Sequence, residues 1–397
     1  MRVLHLSLAD FRNYETAEIE FSLGQNLILG RNGQGKTNLV EAIAYFSTLR
    51  SHRVTGDQAL IRAGAETGVA RVRIAVRERE ALLEIELNRS GPNRAQLNRN
   101  AVKPRELTRW FQTVTFAPED LMIVRGEPAV RRRFLDDTIV ARNPALAGTL
   151  ADYERVVRQR TALLKSARGS GARSAVEATL GVWDDQLVDL GSRIIYERRR
   201  LVQDLAEPVR ASYRELVESD HAPALGLAES VQAALAKDVS RETSIVDPGP
   251  RPADVSRETL EAEFRQALAT VQVHELERGM TLVGPHRDDA VFALNDLPVK
   301  GFASHGESWS FVLGLRLAVA ALLRSESPAG DPVIILDDVF AELDSGRRER
   351  LMLAVGSYEQ VIVTAAVGAD VPNAADWRTI HISAGAVVDG GVLGHHG

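Results

Sequence analysis

The stretch that decides the fold is "GRNGQGKT", Gly30 to Thr37. It matches the phosphate-loop pattern G-x-x-x-x-G-K-[ST] in full. An apolar segment, Asn26 to Leu29, precedes it, and an amphipathic segment, Asn38 to Thr48, follows it. From residue frequencies the full pattern should arise by chance in on the order of one such chain per hundred. We therefore predict a strand, a phosphate-binding loop and a helix, in that order.

Each position of the loop has a chemical reason. The three glycines let backbone N–H groups wrap around phosphates. Lys36 is expected to reach the β- and γ-phosphate oxygens, and the Thr37 hydroxyl to bind Mg²⁺. The predicted ligands are a nucleoside triphosphate and Mg²⁺. The predicted nucleotide-binding residues of the loop are Gly30, Arg31, Asn32, Gly33, Gln34, Gly35, Lys36 and Thr37.

The second half of such a site is "VIILDD", which ends at Asp337 and Asp338. A buried strand that presents a carboxylate at its end is the usual partner of a phosphate loop on the Mg²⁺ side. We predict that Asp337 holds the metal and that Asp338 orients the attacking water. Lys36 and Asp337 are 301 residues apart, so a large insertion must separate the two halves.

The insertion is visible in the pattern of apolar residues. Alternation at Leu4, Leu6 and Leu8 predicts a strand, and residues 69–102 resemble an antiparallel meander. Helical periodicity dominates the middle, where a heptad seam of under three heptads (176–194) suggests a short helical arm. The predicted parts are the N-terminal ATPase head (1–112), a helical insertion with a flexible loop near 220–258 (113–278), and the C-terminal head (279–397).

Composition limits the function classes. The chain has 397 residues, 45% of them hydrophobic, a formal charge of −6 and no cysteine, so disulfides and thiolate zinc sites are excluded. The N-terminus lacks the uninterrupted apolar core of a signal peptide. The longest apolar run, Phe311 to Leu323, contains Arg316 and is too short to span a bilayer. We expect a cytoplasmic protein without a membrane segment.

Before the Asp strand, Ser304-His305-Gly306-Glu307 opens an apolar helix, as the signature motif of ABC-type ATPase heads does. The chain resembles that group, which includes the structural-maintenance-of-chromosomes proteins. Within the group it resembles, over its whole length, the RecF family of bacterial recombination mediators. The segments that carry the resemblance are "LADFRNYETAEIEF", "GRNGQGKTNLVEAI", "FAPEDLMIVRGEPAVRRRFLDD", "GPHRDD" and "ILDDVFAELD", in family order.

The resemblance implies a P-loop head with a mixed sheet, an antiparallel meander and an inserted helical domain. It implies that Gly30 to Thr37 bind ATP and that Ser304 to Glu307 face the nucleotide of a partner subunit. Asp344 in "AELD" would lie in the loop that crosses between subunits. Arg12 and Asn13 resemble N-terminal residues that lie near the nucleotide in these heads.

Three departures from the group favour slow hydrolysis. Thr364 stands about where transporter ATPases carry a switch histidine. Asp338 is shorter than the glutamate of many relatives, and "FAPED" replaces the glutamine loop. The expected activity is a weak, DNA-stimulated ATPase that acts as a switch for assembly.

The resemblance also implies binding to double-stranded and gapped DNA, and to single strands. From 121 to 210 there are 16 Arg or Lys against 12 Asp or Glu. We predict a phosphate-tracking surface on the densest runs, which are Arg131, Arg132 and Arg133, and Arg198, Arg199 and Arg200. The implied partners are a second copy of the chain in the presence of ATP, RecR, and functionally RecO and RecA, in DNA repair, replication and the SOS response at the nucleoid.

Three rival functions fit the sequence less well. A transporter ATPase subunit usually has a switch histidine and has no use for a helical insertion. A chromosome-scaffold ATPase needs a far longer coiled coil. An ATPase fused to a nuclease would need sequence beyond the last hairpin.

One motif remains outside this account. The hexapeptide "DVSRET" occurs at 238–243 and again at 254–259. Val-Ser-Arg-Glu-Thr can be encoded by GTTTCACGTGAAAC, a perfect palindrome, which suggests that the segment is constrained as DNA.

Overall fold

The computed structural model describes residues 1–54, 56–167, 173–236 and 255–388. The strands are β1 (Arg2–Phe11), β2 (Tyr14–Glu20), β3 (Gly24–Leu29), β4 (Thr67–Val76), β5 (Arg79–Asn88), β6 (Arg94–Leu97), β7 (Asn100–Val102), β8 (Thr113–Phe116), β9 (Ala224–Ala228), β10 (Asp289–Leu294), β11 (Leu297–Pro298), β12 (Val333–Asp337), β13 (Gln360–Ala365), β14 (Arg378–Ser383) and β15 (Ala386–Val388). The helices are α1 (Lys36–Thr48), α2 (Pro104–Leu107), α3 (Leu121–Arg125), α4 (Pro128–Arg142), α5 (Leu146–Ala167), α6 (Arg173–Leu216), α7 (Ser230–Leu235), α8 (Arg257–Arg278), α9 (Val299–Phe302), α10 (His305–Glu326) and α11 (Ser345–Val355).

The chain divides into two compact units. The first holds Met1–Leu121, Ala211–Asp220 and the segment from His305 onward; the second holds Met122–Arg210 and His221–Ser304. The borders of these units fall at 121 and 304, whereas the sequence suggested borders at 112 and 278, and the middle segment Ala211–Asp220 belongs to the first unit. The three-part domain assignment stays a prediction.

The first unit contains two six-stranded sheets. One has the order β2-β1-β4-β5-β6-β7 with antiparallel pairing, and it includes the predicted meander. The other has the order β15-β14-β3-β13-β12-β8, in which β14, β3, β13, β12 and β8 run parallel and β15 closes an antiparallel hairpin. This mixed sheet beside an antiparallel meander confirms the predicted fold class.

The sheet order explains how the chain builds a site from distant segments. The phosphate-loop strand β3 and the Asp strand β12 both pair with β13, one on each side. Their carboxyl ends therefore lie at the same edge of the sheet. Parallel strands buried on both faces are nearly continuously apolar, as the "VIIL" of β12 is.

Helix α10 is the one described helix long and apolar enough to cross a membrane by length and composition, and 78% of that window is buried in the protein. The charge in its middle is satisfied internally, because the Arg316 guanidinium donates to both oxygens of Asp120 at 3.1 and 2.5 Å. Asp120 also caps the turn after β8 by accepting from the Ala117 N–H at 3.1 Å. The helix thus packs as a core helix, and the "FAPED" segment is fixed to it by this ion pair.

The second unit contains a helix much longer than the predicted short arm. Helix α6 has 44 residues, about 66 Å at 1.5 Å per residue, and Ala211 to Leu216 of it belong to the first unit. Leu187, Ile194 and Leu201 continue a seven-residue spacing of buried side chains. The apolar pattern is interrupted after Ile194 because a further buried position, Arg198, holds a charge in an ion pair.

The predicted flexible loop near 220–258 is wrong in its first half. Strand β9 and helix α7 occupy it, and β9 pairs antiparallel with β10. Leu225 and Val231 are buried there. Two buried apolar side chains outweighed the small and polar residues on which the prediction depended. Residues 237–254 lie outside the described residues.

Candidate nucleotide site

The phosphate loop connects β3 to α1 and is closely packed at two of its glycines. A Cβ at Gly30 would lie 2.5 Å from the carbonyl oxygen of Ile382 on β14. Gly35, the N-cap of α1, has φ 111, and a Cβ there would meet the Asn13 amide at 2.6 Å. Other parts of the protein therefore pack closely against the loop at these two glycines. The first turn of α1 can offer its N–H groups and the positive end of the helix dipole to an anion.

The middle glycine differs from the other two. Gly33 is exposed, and a Cβ built on it would meet no atom within 4 Å. Close packing in the protein therefore does not require glycine at this position, as it does at Gly30 and Gly35. Gly33 has φ 79, in the left-handed region that favours glycine, so the backbone conformation of the loop is the requirement it meets.

Of the two basic residues of the loop, Arg31 is exposed and Lys36 is held inside it. Lys36 is only 4% exposed, and its Nζ donates to the Arg31 carbonyl at 3.4 Å and to Asn32 Oδ1 at 3.5 Å. Both distances are at the outer limit of a hydrogen bond. The ammonium group can thus turn to a phosphate without breaking a strong contact.

The outer side of the loop is fixed by neighbours in the sequence-predicted site. Gln34 accepts hydrogen bonds through its carbonyl from the Asn13 amide at 3.3 Å and from the Gly385 N–H at 3.2 Å. Its side-chain oxygen accepts from the Ala384 N–H. The turn between β14 and β15 and the residue before β2 therefore hold the loop in shape.

Asp337, the predicted metal ligand, lies at the end of β12 beside the first residues of α1. Asp337 is 1% exposed, and its Oδ1 accepts from the Thr37 hydroxyl at 3.1 Å and from the Thr364 hydroxyl at 2.6 Å. Burial raises the pKa of Asp337, while the hydrogen bonds from Thr364 and Thr37 and the charge of His52 act against it. A hydroxyl and a carboxylate that converge on one point are the hard oxygen donors Mg²⁺ prefers.

Thr364, which stands about where transporter ATPases carry a switch histidine, lies beside the two acids at the end of β12. It is fully buried in β13, and its hydroxyl also accepts from the Asp338 N–H at 3.0 Å. A side chain so placed fixes the Asp337 carboxylate and the turn after β12. Asp338 follows with φ 56, in the left-handed region that Asp tolerates better than most residues.

The two N-terminal candidates have separate environments. Asn13 lies on the loop, and its Oδ1 accepts from the Asn38 amide on α1 at 2.7 Å. Arg12 instead donates to both oxygens of Glu41 at 2.9 and 2.7 Å and to the Ala59 carbonyl at 3.0 Å. Glu41 is a fully buried carboxylate in α1 that sequence reasoning missed. The sequence signal that could have revealed Glu41 was a charged residue inside the apolar run of the helix, because a buried charge requires a partner.

In the first unit, the start of α10 and the start of α11 are linked by one side chain. Ser304 immediately precedes α10, and Glu307 lies in its first turn, where a negative charge suits the helix dipole. Asp344 caps α11 by accepting from the Arg347 N–H at 2.9 Å, which lowers the pKa of Asp344. The Arg347 guanidinium donates to Asp344 at 3.0 Å and lies 3.0 Å from a Cβ built on Gly306. Arg347 therefore joins Gly306 to Asp344, a link the sequence did not reveal.

Half of the predicted DNA-binding arginines are structural, in the second unit. Arg131 donates to both oxygens of Asp289 at 2.7 and 2.8 Å, and Arg198 to both oxygens of Asp136 at 2.9 Å. Both arginines are at most 5% exposed. Arg199 pairs with Glu229 and is largely buried. The prediction that these three contact phosphates is corrected, because buried guanidinium groups bonded to carboxylates have no access to DNA.

The other three arginines of those runs differ in their exposure. Arg132 donates to the Asp288 carbonyl at 2.7 Å, and burial lowers its pKa. Arg133 and Arg200 have side chains 36% and 53% exposed, and each forms a loose ion pair one helical turn away, at 3.5 and 3.8 Å. These two stay candidates for DNA contact.

A phosphate loop, an Asp strand two places along a parallel sheet and a signature helix in one chain define an ATPase head of the ABC type. The chain matches the model of the RecF/RecN/SMC N terminal domain over residues 2–384. It is 56% identical to the DNA replication and repair protein RecF of Leifsonia xyli subsp. xyli, over 98% of this chain and 100% of the relative. It is 51% identical to RecF of Clavibacter sepedonicus, over 98% and 95%. The chain therefore belongs to the RecF family.

Solved structures agree with that assignment. The structure described as the recombination mediator protein RecF-ATPrS in the RecFOR pathway has a TM-score of 0.83 at 27% identity, over 97% of each chain. The corresponding RecF-ATP structure has a TM-score of 0.80 at 25% identity, over 98% of each. A Smc head domain from Pyrococcus furiosus has a TM-score of 0.51 at 15% identity, which supports the fold alone.

Proposed function

We propose that the chain is an ATP-dependent DNA-binding recombination mediator. ATP closes two copies into a dimer that clamps DNA at single-strand gaps and promotes RecA loading with RecR and RecO, in gap repair and SOS induction in the cytoplasm. Slow hydrolysis then releases it. The observation that carries the proposal is the hydrogen bond from Thr37 to Asp337, which assembles a nucleotide site from both ends of a chain that matches RecF-ATP over 98% of its length.

The residues have separate tasks in this proposal. Bound ATP with Mg²⁺ supplies the phosphoanhydride and the cation that neutralises its charge. Lys36 and the N–H groups of the first turn of α1 hold the phosphates, while Thr37 and Asp337 supply oxygen ligands for the cation. Thr364 keeps Asp337 in place. Asp338 accepts a proton from the attacking water or orients it.

Two rivals are weakened by particular observations. In a transporter ATPase the position of Thr364 would serve the γ-phosphate, whereas here its hydroxyl is occupied by Asp337 and Asp338. A scaffold ATPase needs a long coiled coil, and α6 extends for about 66 Å at most.

Sedimentation of the purified protein tests the proposal. With ATP we expect the mass to double and a further complex to form with gapped duplex DNA, while ADP produces neither. The same runs with Lys36→Ala should give a monomer under all conditions. A protein that stays monomeric with ATP and ignores gapped DNA would contradict the proposal.

A further inference from the structure

A buried tyrosine hydroxyl lies directly under the phosphate loop. Tyr14, the first residue of β2, is fully buried, and within the described part of the chain its hydroxyl has no hydrogen-bond partner. A Cβ built on Gly35 would lie 2.7 Å from that oxygen, so the hydroxyl touches the N-cap of α1. Burial raises the pKa of Tyr14, so the group stays a neutral donor.

An unpaired buried hydroxyl opposes folding, because it loses its bonds to water and gains none. A phenylalanine would fill the same space without that cost. The hydroxyl is therefore not explained by the stability of the nucleotide-free fold. A state in which the loop offers it an acceptor would explain it.

Phosphate binding supplies such a state. When the N–H groups of a loop turn toward an anion, the carbonyl groups of the same peptides turn away from it. The neighbouring residue already donates to a loop carbonyl in this way, because the Asn13 amide donates to the Gln34 carbonyl at 3.3 Å. We propose that Tyr14 is a positioning residue that donates to a loop carbonyl only when the phosphates of a nucleotide are bound. This inference depends on the proposed ATP binding.

Two tyrosine variants test it, since Tyr45 is a matched control. Tyr45 is 2% exposed in α1, and its hydroxyl interacts with the polar side chains of Asp57 and Asn93. We expect Tyr14→Phe to keep or raise the stability of the nucleotide-free protein while its Kd for a non-hydrolysable ATP analogue rises about tenfold. Tyr45→Phe should lower nucleotide-free stability and leave that Kd within about twofold of wild type.

The outcomes separate this inference from the proposed function. Wild-type affinity in Tyr14→Phe, or a loss of nucleotide-free stability as large as that of Tyr45→Phe, overturns the inference and leaves ATP binding intact. If the wild-type protein itself binds no ATP analogue, both fail together. Lys36→Ala, which should bind none, shows that the assay detects a lost site.

A second, independent observation concerns the repeated "DVSRET". An exact hexapeptide repeat is expected by chance in on the order of one such chain in a hundred or fewer. In the described part of the second copy, Arg257 pairs with Asp189 and Glu261, and Val255 packs against the core of the second unit. Ser256 caps α8 by accepting from the Thr259 N–H. Any Ser, Thr, Asp or Asn would serve there, so capping does not demand an identical peptide elsewhere. The first copy lies outside the described residues.

The genetic code offers a reason for identity. The first two bases of the Val and Thr codons are complementary in reverse order, as are those of the Ser (TC) and Glu (GA) codons. The centre of symmetry lies within the self-complementary CG that begins the Arg codon. We infer that both copies encode the same palindromic DNA site, which suits a twofold-symmetric DNA-binding dimer. Sequencing the gene should show one self-complementary string, such as GTTTCACGTGAAAC, in both copies. Different codons in the two copies, or a string that is not self-complementary, overturns it.

Discussion

The hydroxyl of Thr37 donates a 3.1 Å hydrogen bond to Asp337, a residue 300 positions further along the chain. That single contact joins the first helix after the phosphate loop to the end of the strand that carries the acids. The parallel order of β3, β13 and β12 fixes both of its ends. The sheet itself therefore brings the two halves of the candidate site together.

Removal of the Lys36 ammonium group should abolish nucleotide binding without destabilising the fold. Lys36→Ala removes the ammonium group that would hold the phosphates, so ATP binding and ATP-dependent DNA binding should disappear. Because the hydrogen bonds of the Lys36 Nζ are long, at 3.4 and 3.5 Å, the thermal stability of the nucleotide-free protein should change little. Filter binding to gapped DNA with ATP checks the result, and wild-type affinity there would contradict the assignment.

Asp338→Asn should uncouple binding from turnover. The amide keeps the size of the side chain but cannot take a proton, so hydrolysis should slow by about 10²-fold or more. ATP affinity should persist, and DNA complexes should dissociate more slowly than those of wild type. Steady-state ATPase rates and dissociation kinetics measure both. Asp376→Asn, at an exposed site in the same unit, is the control that should change neither.

The sequence predicted those features that local pattern or fixed motif spacing determines. The phosphate loop, the Asp strand and the meander have periods and residue types that few other structures satisfy. Partner choice was not predictable, because it depends on side chains brought together by the fold. Arg131 and Arg133 are two positions apart in one run, yet Arg131 is buried against Asp289 while Arg133 stays 36% exposed. Thr364 was similarly assigned by position, and its contact with Asp337 arises only once β13 lies beside β12.

That contrast gives a test of the arginines. Arg131→Ala leaves Asp289 without its partner and should lower the free energy of unfolding by about 3 kcal/mol. Arg133→Ala should change it by less than about 0.5 kcal/mol. If Arg133 contacts a phosphate, its loss should also reduce the slope of log K against log salt by about one. Urea unfolding and salt titration of DNA binding check the pair, and equal stabilities would refute the structural role of Arg131.

Two buried groups in the second unit should have opposite effects on the stability of the protein as the pH falls. Burial lowers the pKa of His286 to about 4, and it raises the pKa of Asp288 to about 6. As pH falls from 6.5 to 4, the unfolded histidine binds a proton that the folded one refuses, so stability falls. Over nearly the same range the folded Asp288 binds a proton that the unfolded one refuses, so stability rises.

Single variants should reveal how each group changes the free energy of unfolding with pH. Relative to wild type, Asp288→Asn should lose about 3 kcal/mol of unfolding free energy between about pH 6.5 and 4, since one pKa unit equals about 1.4 kcal/mol. His286→Phe should show the opposite trend relative to wild type. Denaturant unfolding at several pH values measures both. Variants that keep the wild-type pH dependence would show that these pKa shifts are absent.

The signature motif gives the test of a site shared between subunits. A signature segment could serve its own phosphate loop only by folding onto it, whereas ABC-type heads present it to the nucleotide of the partner. Ser304→Arg places a bulky cation before the first turn of α10, where the signature would meet the partner's phosphates. The phosphate loop of the same chain is untouched. ATP binding to the monomer should therefore persist, while ATP-dependent dimerisation and hydrolysis are lost.

Mixing Ser304→Arg with Lys36→Ala makes that test sharper. Each variant alone has two defective composite sites in its homodimer. A heterodimer has one intact site, which combines the unmutated phosphate loop of the Ser304→Arg chain with the unmutated signature of the Lys36→Ala chain. If one site suffices for turnover, ATPase activity should return on mixing, towards about half the wild-type rate per dimer at most. If both sites must act together, ATP-dependent association measured by sedimentation should still exceed that of either variant alone. When both proteins are folded and neither activity nor association recovers, the nucleotide is not shared between two chains.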